Sequence, residues 1–346
     1  KDVSFLVVLQ AGETFSCQDT TTNAPTKLAG SIVSSDKPIA ITVSSSNLLN
    51  GGCNSTVADQ ITNSNYAGND FVVAKSQSGG DKFFILATVN STSLTIYNGT
   101  STVQTLINTG ETYSSNISQP LTYIKSTKPV YVIHVSAHGC KLSGAQVPHF
   151  YCAGTYSTSF TRTNSDSLSI NVFTRNGNQG NFSLLSNSVS QPIGASSFSV
   201  VPGTGGNVVA AKIYYTTTQI PVGSYNIISN PGDIYGFGTH QGSSQRGSTY
   251  AYHSEWAAYP FAIAGPLTAT TCANTTFPLT GVIGGGNLTG VWATSGFGTF
   301  AAGTASLINT YIPSNLDTNI ILTLTSNGPC LSAIGTISLT VDPSPI

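Results

Sequence analysis

Apolar and polar residues alternate in short runs along most of the chain. Segments 5–9, 39–43, 71–74, 83–89, 94–97, 130–135, 168–173, 208–215, 225–228 and 320–325 are rich in β-branched and aromatic residues. Gly, Asn, Ser or Pro punctuates them at strand-and-turn spacing. Few stretches place apolar residues at i, i+3, i+4 and i+7, and the helix formers Glu and Lys are scarce. Asn98-Gly99 and Asn176-Gly177 read as hairpin dipeptides, because both central residues of a type I′ turn need positive φ. The pattern predicts an all-β protein.

A repeat lies inside this pattern. Gly12-Glu13-Thr14-Phe15 recurs as Gly110-Glu111-Thr112-Tyr113. The run from Ile32 through Lys37-Pro38-Ile39 recurs from Ile124 through Lys128-Pro129-Val130. Each Lys-Pro is expected to open a strand, since proline lacks an N–H and suits strand starts. Each strand then reaches a Gly-Cys pair, Gly52-Cys53 or Gly139-Cys140. A fainter third copy runs over 208–242, with Asn230-Pro231-Gly232-Asp233 at the Lys-Pro position. The first copy lacks opening strands, so the expectation is a fragment that starts within a repeat. Composition shifts at Ala264-Gly265-Pro266. Beyond it, Cys272, Trp292 and Cys330 stand in the order of an immunoglobulin-like sandwich, where the Trp packs on a disulfide. The expected architecture is therefore tandem β-sandwich-like repeat units over 1–264, followed by an immunoglobulin-like sandwich over 265–346.

Residues across this region carry a family likeness. Ser35-Asp36-Lys37-Pro38-Ile39-Ala40-Ile41, Asp59-Gln60-Ile61, Phe71-Val72-Val73, Lys128-Pro129-Val130-Tyr131-Val132, Phe160-Thr161-Arg162 and Tyr250-Ala251-Tyr252-His253-Ser254-Glu255-Trp256 occur in colinear order. Together they resemble the N-terminal domain of IgGFc-binding proteins. The run from Gly290-Val291-Trp292 to Phe300 resembles modules of very large Bacteroidetes surface proteins. Similar pairs of modules belong to gliding-motility and adhesion proteins exported by the type IX system. The resemblance implies a non-enzymatic segment of a large extracellular adhesin or surface filament. No immunoglobulin site is carried over with it.

Composition narrows the classes. Only 7% of the 346 residues are charged, with a net charge of -1, where ordinary domains carry roughly 25%. Twelve basic residues spread thinly do not make a nucleic-acid surface. No apolar run approaches the roughly 18 residues of a membrane helix. At 39% hydrophobic, the chain is not a disordered polar tract. A surface polar through hydroxyls and amides suggests a cell-exterior location. Strand edges with so little charge need cover from neighbouring modules, bulges, loops or sugar. The expected partners are other modules of the same surface protein or filament, with glycans or surface polymers as further candidates.

Cys17, Cys53, Cys140, Cys152, Cys272 and Cys330 allow fifteen pairings. Nearest-neighbour pairing gives 17–53, 140–152 and 272–330, one bridge per segment, as suits an oxidising compartment. His134, His138 and His149 near two cysteines raise a zinc site, but the paired short spacings of structural zinc are missing. Asp59 to Asp70, with Asn63, Asn65 and Asn69, raises calcium, but reads better as an Asn-capped turn. No nucleophile elbow or marked carboxylate pair points to a hydrolase. The expectation is no enzyme, no metal and no cofactor. Tyr250, Tyr252, Trp256 and Tyr259 form the densest aromatic cluster, and suit sugar stacking or a protein interface. A lectin-like glycan-binding module is therefore the second reading. Thr20 and Ser167, each after Asp, resemble the Bacteroidetes O-glycosylation triplet. Asn54, Asn90 and Asn181 head Asn-x-Ser/Thr sequons.

Overall fold

A computed structural model of the chain describes residues 3–19, 28–50, 53–76, 80–243, 247–252, 260–328, 330 and 332–343. Of residues 47, 49, 50, 53, 65 and 247–252 it describes the backbone alone. The fold is all-β, with no α-helix among the described residues. It divides into two compact units, Lys1–Val147 and Pro148–Ile346.

The first unit is organised by one 18-residue strand, Leu121–His138. Its first half pairs with Thr92–Asn98 and Gly68–Ala74, and its second half with Lys82–Ala87 and Lys141–Val147. Ser101–Ile107 and Thr112–Asn116 extend the sheet at its ends. Phe71, Phe83, Ile85, Leu94, Ile96, Ile124 and Val132 form the buried faces. Pro129 does not open a strand as expected. It lies inside Leu121–His138, where the ladder with Thr92–Asn98 ends at Ser126 and the ladder with Lys82–Ala87 begins at Val130. A residue without an N–H fits at that change of partners. A separate hairpin joins Ile41–Asn50 to Cys53–Ile61. The predicted strand at 5–9 is absent, and the one at 39–43 starts only at Ile41.

The second unit holds two cores. In the first, a four-stranded sheet (Ser157–Thr161, Tyr225–Ser229, Ser183–Ser186, Val189–Pro192) faces a five-stranded one. The latter runs Ser199–Val200, Val208–Tyr215, Ser167–Arg175, Gly236–Ser243, Gly247–Tyr252. Phe160, Leu168, Ile170, Val172, Phe182, Leu184, Ile228 and Phe237 fill the space between. In the second, Thr268–Cys272 runs parallel to Ile334–Asp342, which continues to Asn319–Asn327 and Thr289–Thr294. The facing sheet is Phe277–Thr280, Ile308–Ile312 and Thr299–Phe300. Trp292, Tyr311, Leu322, Leu324 and Leu339 are buried between them.

Local turns depart from expectation in instructive ways. Asn98 pairs with Ser101, so the two-residue loop is Gly99-Thr100, with Gly99 at φ 69°. Positive φ at the first loop residue is what a type II′ turn requires. Asn98 instead serves as a bracket: its Oδ1 accepts from Gln119 N, and its Nδ2 donates to Asn116 O. Asn176-Gly177 is not a hairpin. It carries the chain from Ser167–Arg175 in one sheet to Ser183–Ser186 in the other.

The cysteine pairing is also corrected. Cys152 is bonded to Cys330, 178 residues away, while Cys17 and Cys272 are free thiols at the surface. Cys140 is disulfide-bonded too, but not to Cys152. Sequence proximity failed because strand register sets distance in a sheet. Cys140 sits in the tight turn between His138 and Lys141. Cys272 lies opposite Asp342 at the end of Ile334–Asp342, while Cys330 lies in the connection before that strand begins. Cys17 belongs to a segment with no ladder partner among the described residues. Trp292 therefore packs on no disulfide between Cys272 and Cys330. Its ring lies 6.3 Å from that of Phe300, inside the aromatic core.

Candidate functional site

The most concentrated polar chemistry in the first unit surrounds Asp81, just before the apolar strand Lys82–Ala87. Asp81 and His134 are both 0% exposed. His134 Nε2 lies 2.9 Å from Asp81 Oδ2. That oxygen also accepts from Ser76 N at 2.6 Å. The other carboxylate oxygen accepts from Ala137 N at 3.2 Å and from the Ser76 hydroxyl. Burial pushes the Asp81 carboxyl up, but His134 and the Ser76 donors outweigh it and hold its pKa at about 2.

Ser, Asp and His together invite comparison with a hydrolytic triad. The order is wrong. A nucleophile needs the imidazole next to the hydroxyl, with the carboxylate behind. Here the carboxylate stands in the middle, and Ser76 Oγ lies 2.9 Å from the Ala137 carbonyl. The cluster ties three chain segments together. Position 134 carried a readable signal: it shares the inward parity of Val130 and Val132, so an imidazole there needs a buried partner. That the partner is Asp81 was not legible.

The charged groups of the second unit are used in the same way. Arg162 is 2% exposed, and its guanidinium donates to the carbonyls of Asn164, Tyr215, Ile220 and Asp166. Burial lowers its pKa, and the nearby Asp166 opposes this. Arg175 grips Asp233 with two donors, Nε to Oδ2 at 2.7 Å and Nη2 to Oδ1. Asp233 also accepts from Ile234 N and Asn178 Nδ2. Tyr235, 1% exposed, donates its hydroxyl to Ile228 O at 2.6 Å, seven residues upstream. In the C-terminal core, Asp317 accepts from Phe297 N, Ser314 N and the Tyr311 hydroxyl. Burial raises the Asp317 carboxyl, and these donors bring it below its ordinary value.

The disulfide has its own setting. Gly286 at φ 95° lies so close that a Cβ there would meet Cys330 Sγ and Tyr151 O, each at 2.6 Å. Asn287 Oδ1 accepts from Cys330 N, and Asn287 Nδ2 donates to Ser326 Oγ.

The remaining candidates do not converge. His134 and His138 share one strand, and His149 belongs to the other unit. Asp59 Oδ2 accepts from Gln146 N, Asp70 accepts from the Tyr123 hydroxyl, and Asn69 donates to Ser126 O. The acceptors of the candidate calcium turn are thus turned to separate backbone and side-chain donors. Tyr250 and Tyr252 lie on Gly247–Tyr252, their side chains outside the described residues. Trp256, Tyr259 and Thr20 are outside the described residues altogether. Ser167 is half-buried at the start of Ser167–Arg175, opposite Gly242.

Among solved structures, the chain is similar to the N-terminal four Ig domains of Dscam1 isoform 9.44, at 10% identity and a TM-score of 0.24, over 78% of this chain and 72% of that one. It is similar to the titin I-band fragment I67–I69 at 11% identity and a TM-score of 0.19, over 80% and 99%. It is also similar to the BSP domain of a biofilm associated protein at 9% identity and a TM-score of 0.17, over 88% and 81%. Scores this low carry no argument. No curated protein matches the chain. A family model described as "IgGFc binding protein" matches residues 1–244, from the first-repeat turn through the Arg162 and Asp233 clusters. The chain belongs to the IgGFc binding protein family.

Proposed function

We propose that this chain is a non-enzymatic extracellular segment of a large cell-surface adhesin or surface filament, delivered by type IX export. Family membership fits an extracellular, adhesin-like segment. The observation that carries the reading is the use made of buried charge. Asp81, Arg162, Arg175, Asp233 and Asp317 each hold strand ends or loops together through buried or partly buried hydrogen bonds. A catalytic site instead gathers shifted titratable groups around space for a substrate. No helix among the described residues is long and apolar enough to cross a membrane.

Protease treatment of intact source cells tests this. Release of fragments of this chain, and loss of that release when type IX export is disabled, is the expected result. Retention of the chain inside intact cells would refute it.

The aromatic run at Tyr250, Tyr252, Trp256 and Tyr259 supports a second reading, a lectin-like module that stacks sugars. Trp256→Ala would then abolish binding on a glycan array. We further propose a module boundary at 264/265 and O-glycans on Thr20 and Ser167. Intact-mass shifts that vanish in Thr20→Ala and Ser167→Ala would identify the sugars.

A further inference from the structure

The Gly-Glu-Thr repeat is matched atom for atom in its turn. Glu13 N donates to Gln10 O at 3.0 Å, and Glu111 N to Asn108 O at 2.9 Å. Gln10 N donates to Glu13 Oε2 at 2.7 Å, and Asn108 N to Glu111 Oε2 at 2.7 Å. Gly12 and Gly110 have φ of 88° and 79°. Residues 3–18 thus correspond to 101–116. Downstream, the hairpin Ile41–Asn50 with Cys53–Ile61 corresponds to the one formed by 132–138 and Lys141–Val147.

The two copies differ in what covers them. Ser101–Ile107 pairs with Thr92–Asn98, and Thr112–Asn116 pairs with Lys82–Ala87. Tyr113 packs against Phe83, ring centroids 6.3 Å apart. The corresponding segments 3–9 and 14–18 have no ladder partner among the described residues. Phe15, the counterpart of Tyr113, meets Phe5 at 5.9 Å. Apolar positions that are covered in the second copy stand open in the first: Leu9 is 44% exposed where its counterpart Ile107 is 6%, and Ile32 is 86% exposed where Ile124 is 0%. Yet the copy is not detached. The backbones of Gly30 and Gly110 approach so closely that a Cβ on Gly30 would meet Gly110 Cα at 2.5 Å.

We infer that the face formed by residues 3–18 and 32–40 is a docking surface for one occupant. That occupant is a three-stranded β-segment of the kind this chain has at 68–98, supplied by another repeat of the family outside these 346 residues. It donates main-chain bonds to 3–9 and 14–18, and places an aromatic ring, in the role of Phe83, on Phe15. This is recognition by strand addition, with alternate side chains setting specificity. A second copy of the chain does not fit the role. Its own Thr92–Asn98 and Lys82–Ala87 are already paired on both edges.

The experiment fuses residues 62–100 directly ahead of Val3 in the full chain, which restores the spacing seen between 100 and 101. Hydrogen exchange is then followed at 3–18. Alternate amides there should slow by about 100-fold or more, as in a paired strand, and binding of an apolar dye should fall. The same fusion with its apolar alternation scrambled should leave both unchanged. Phe15→Ser in the unscrambled fusion should lose most of the protection while 82–138 keeps its own. Fast exchange in the fusion, or equal protection by the scrambled segment, overturns the proposal. So does concentration-dependent protection of the unfused chain, which would identify a second copy as the occupant. None of these outcomes depends on where the protein is exported, so they are separable from the proposed function.

Discussion

Replacing Asp81 by Asn keeps the shape of the side chain and removes its charge. The folded carboxyl has a pKa of about 2, against an ordinary 3.8. The difference corresponds to roughly 2.5 kcal/mol, at about 1.36 kcal/mol per unit. The group is fully buried, so little of that is screened. A depressed carboxyl contributes its stabilisation in full above its unfolded pKa, near 3.8, and loses it as the pH falls through about 2. At pH 7, Asp81→Asn should cost about 3 kcal/mol, because Ser76 N, Ala137 N and His134 keep one acceptor where they had two. By pH 2 the cost should shrink to roughly 1 kcal/mol, since the wild-type carboxyl is then about half neutral when folded and almost wholly neutral when unfolded. A chain of two compact units is not safely treated as two-state. Exchange at peptides from 82–87 and 121–138 therefore reports the first unit better than a global melt. A wild-type-to-variant difference that stays constant from pH 7 to pH 2 would refute the reasoning, because the pairing would then not be electrostatic.

Other expectations follow from the second unit. Mapping of unreduced peptides should find Cys152 joined to Cys330, with Cys17 and Cys272 alkylated; a 140–152 peptide would contradict the fold. Closing a 178-residue separation has a loop-entropy ceiling of about 5 kcal/mol, so Cys330→Ser, which opens this bridge and leaves that of Cys140 intact, should destabilise the 148–346 unit selectively in calorimetry. Arg162→Lys should cost about 2–3 kcal/mol in urea unfolding, since one ammonium does not reach the four carbonyls the planar guanidinium serves. Trp292→Ala should cost about 3–5 kcal/mol, read as early melting of the C-terminal core, because the indole is enclosed with Phe300 and Tyr311.

Much of the local structure was legible in the residues. Period-two alternation gave the half-buried strand at 94–97, and short β-branched or aromatic runs bounded by turn residues gave those at 71–74, 168–173 and 208–215, which are buried on both faces over most of their length. The Gly-Glu-Thr turn was legible twice over, since its bonds run between residues three apart. At 5–9 the same kind of apolar run misled, because a strand needs a neighbour and none of the described residues supplies one there. What tertiary structure alone decided is partnership across long separations. Cys152 meets Cys330 over 178 residues, Asp81 meets His134 over 53, and Arg175 meets Asp233 over 58. Alternation fixes which way a side chain faces. Strand order and register fix what it faces, and those are properties of the whole sheet, which no single segment encodes.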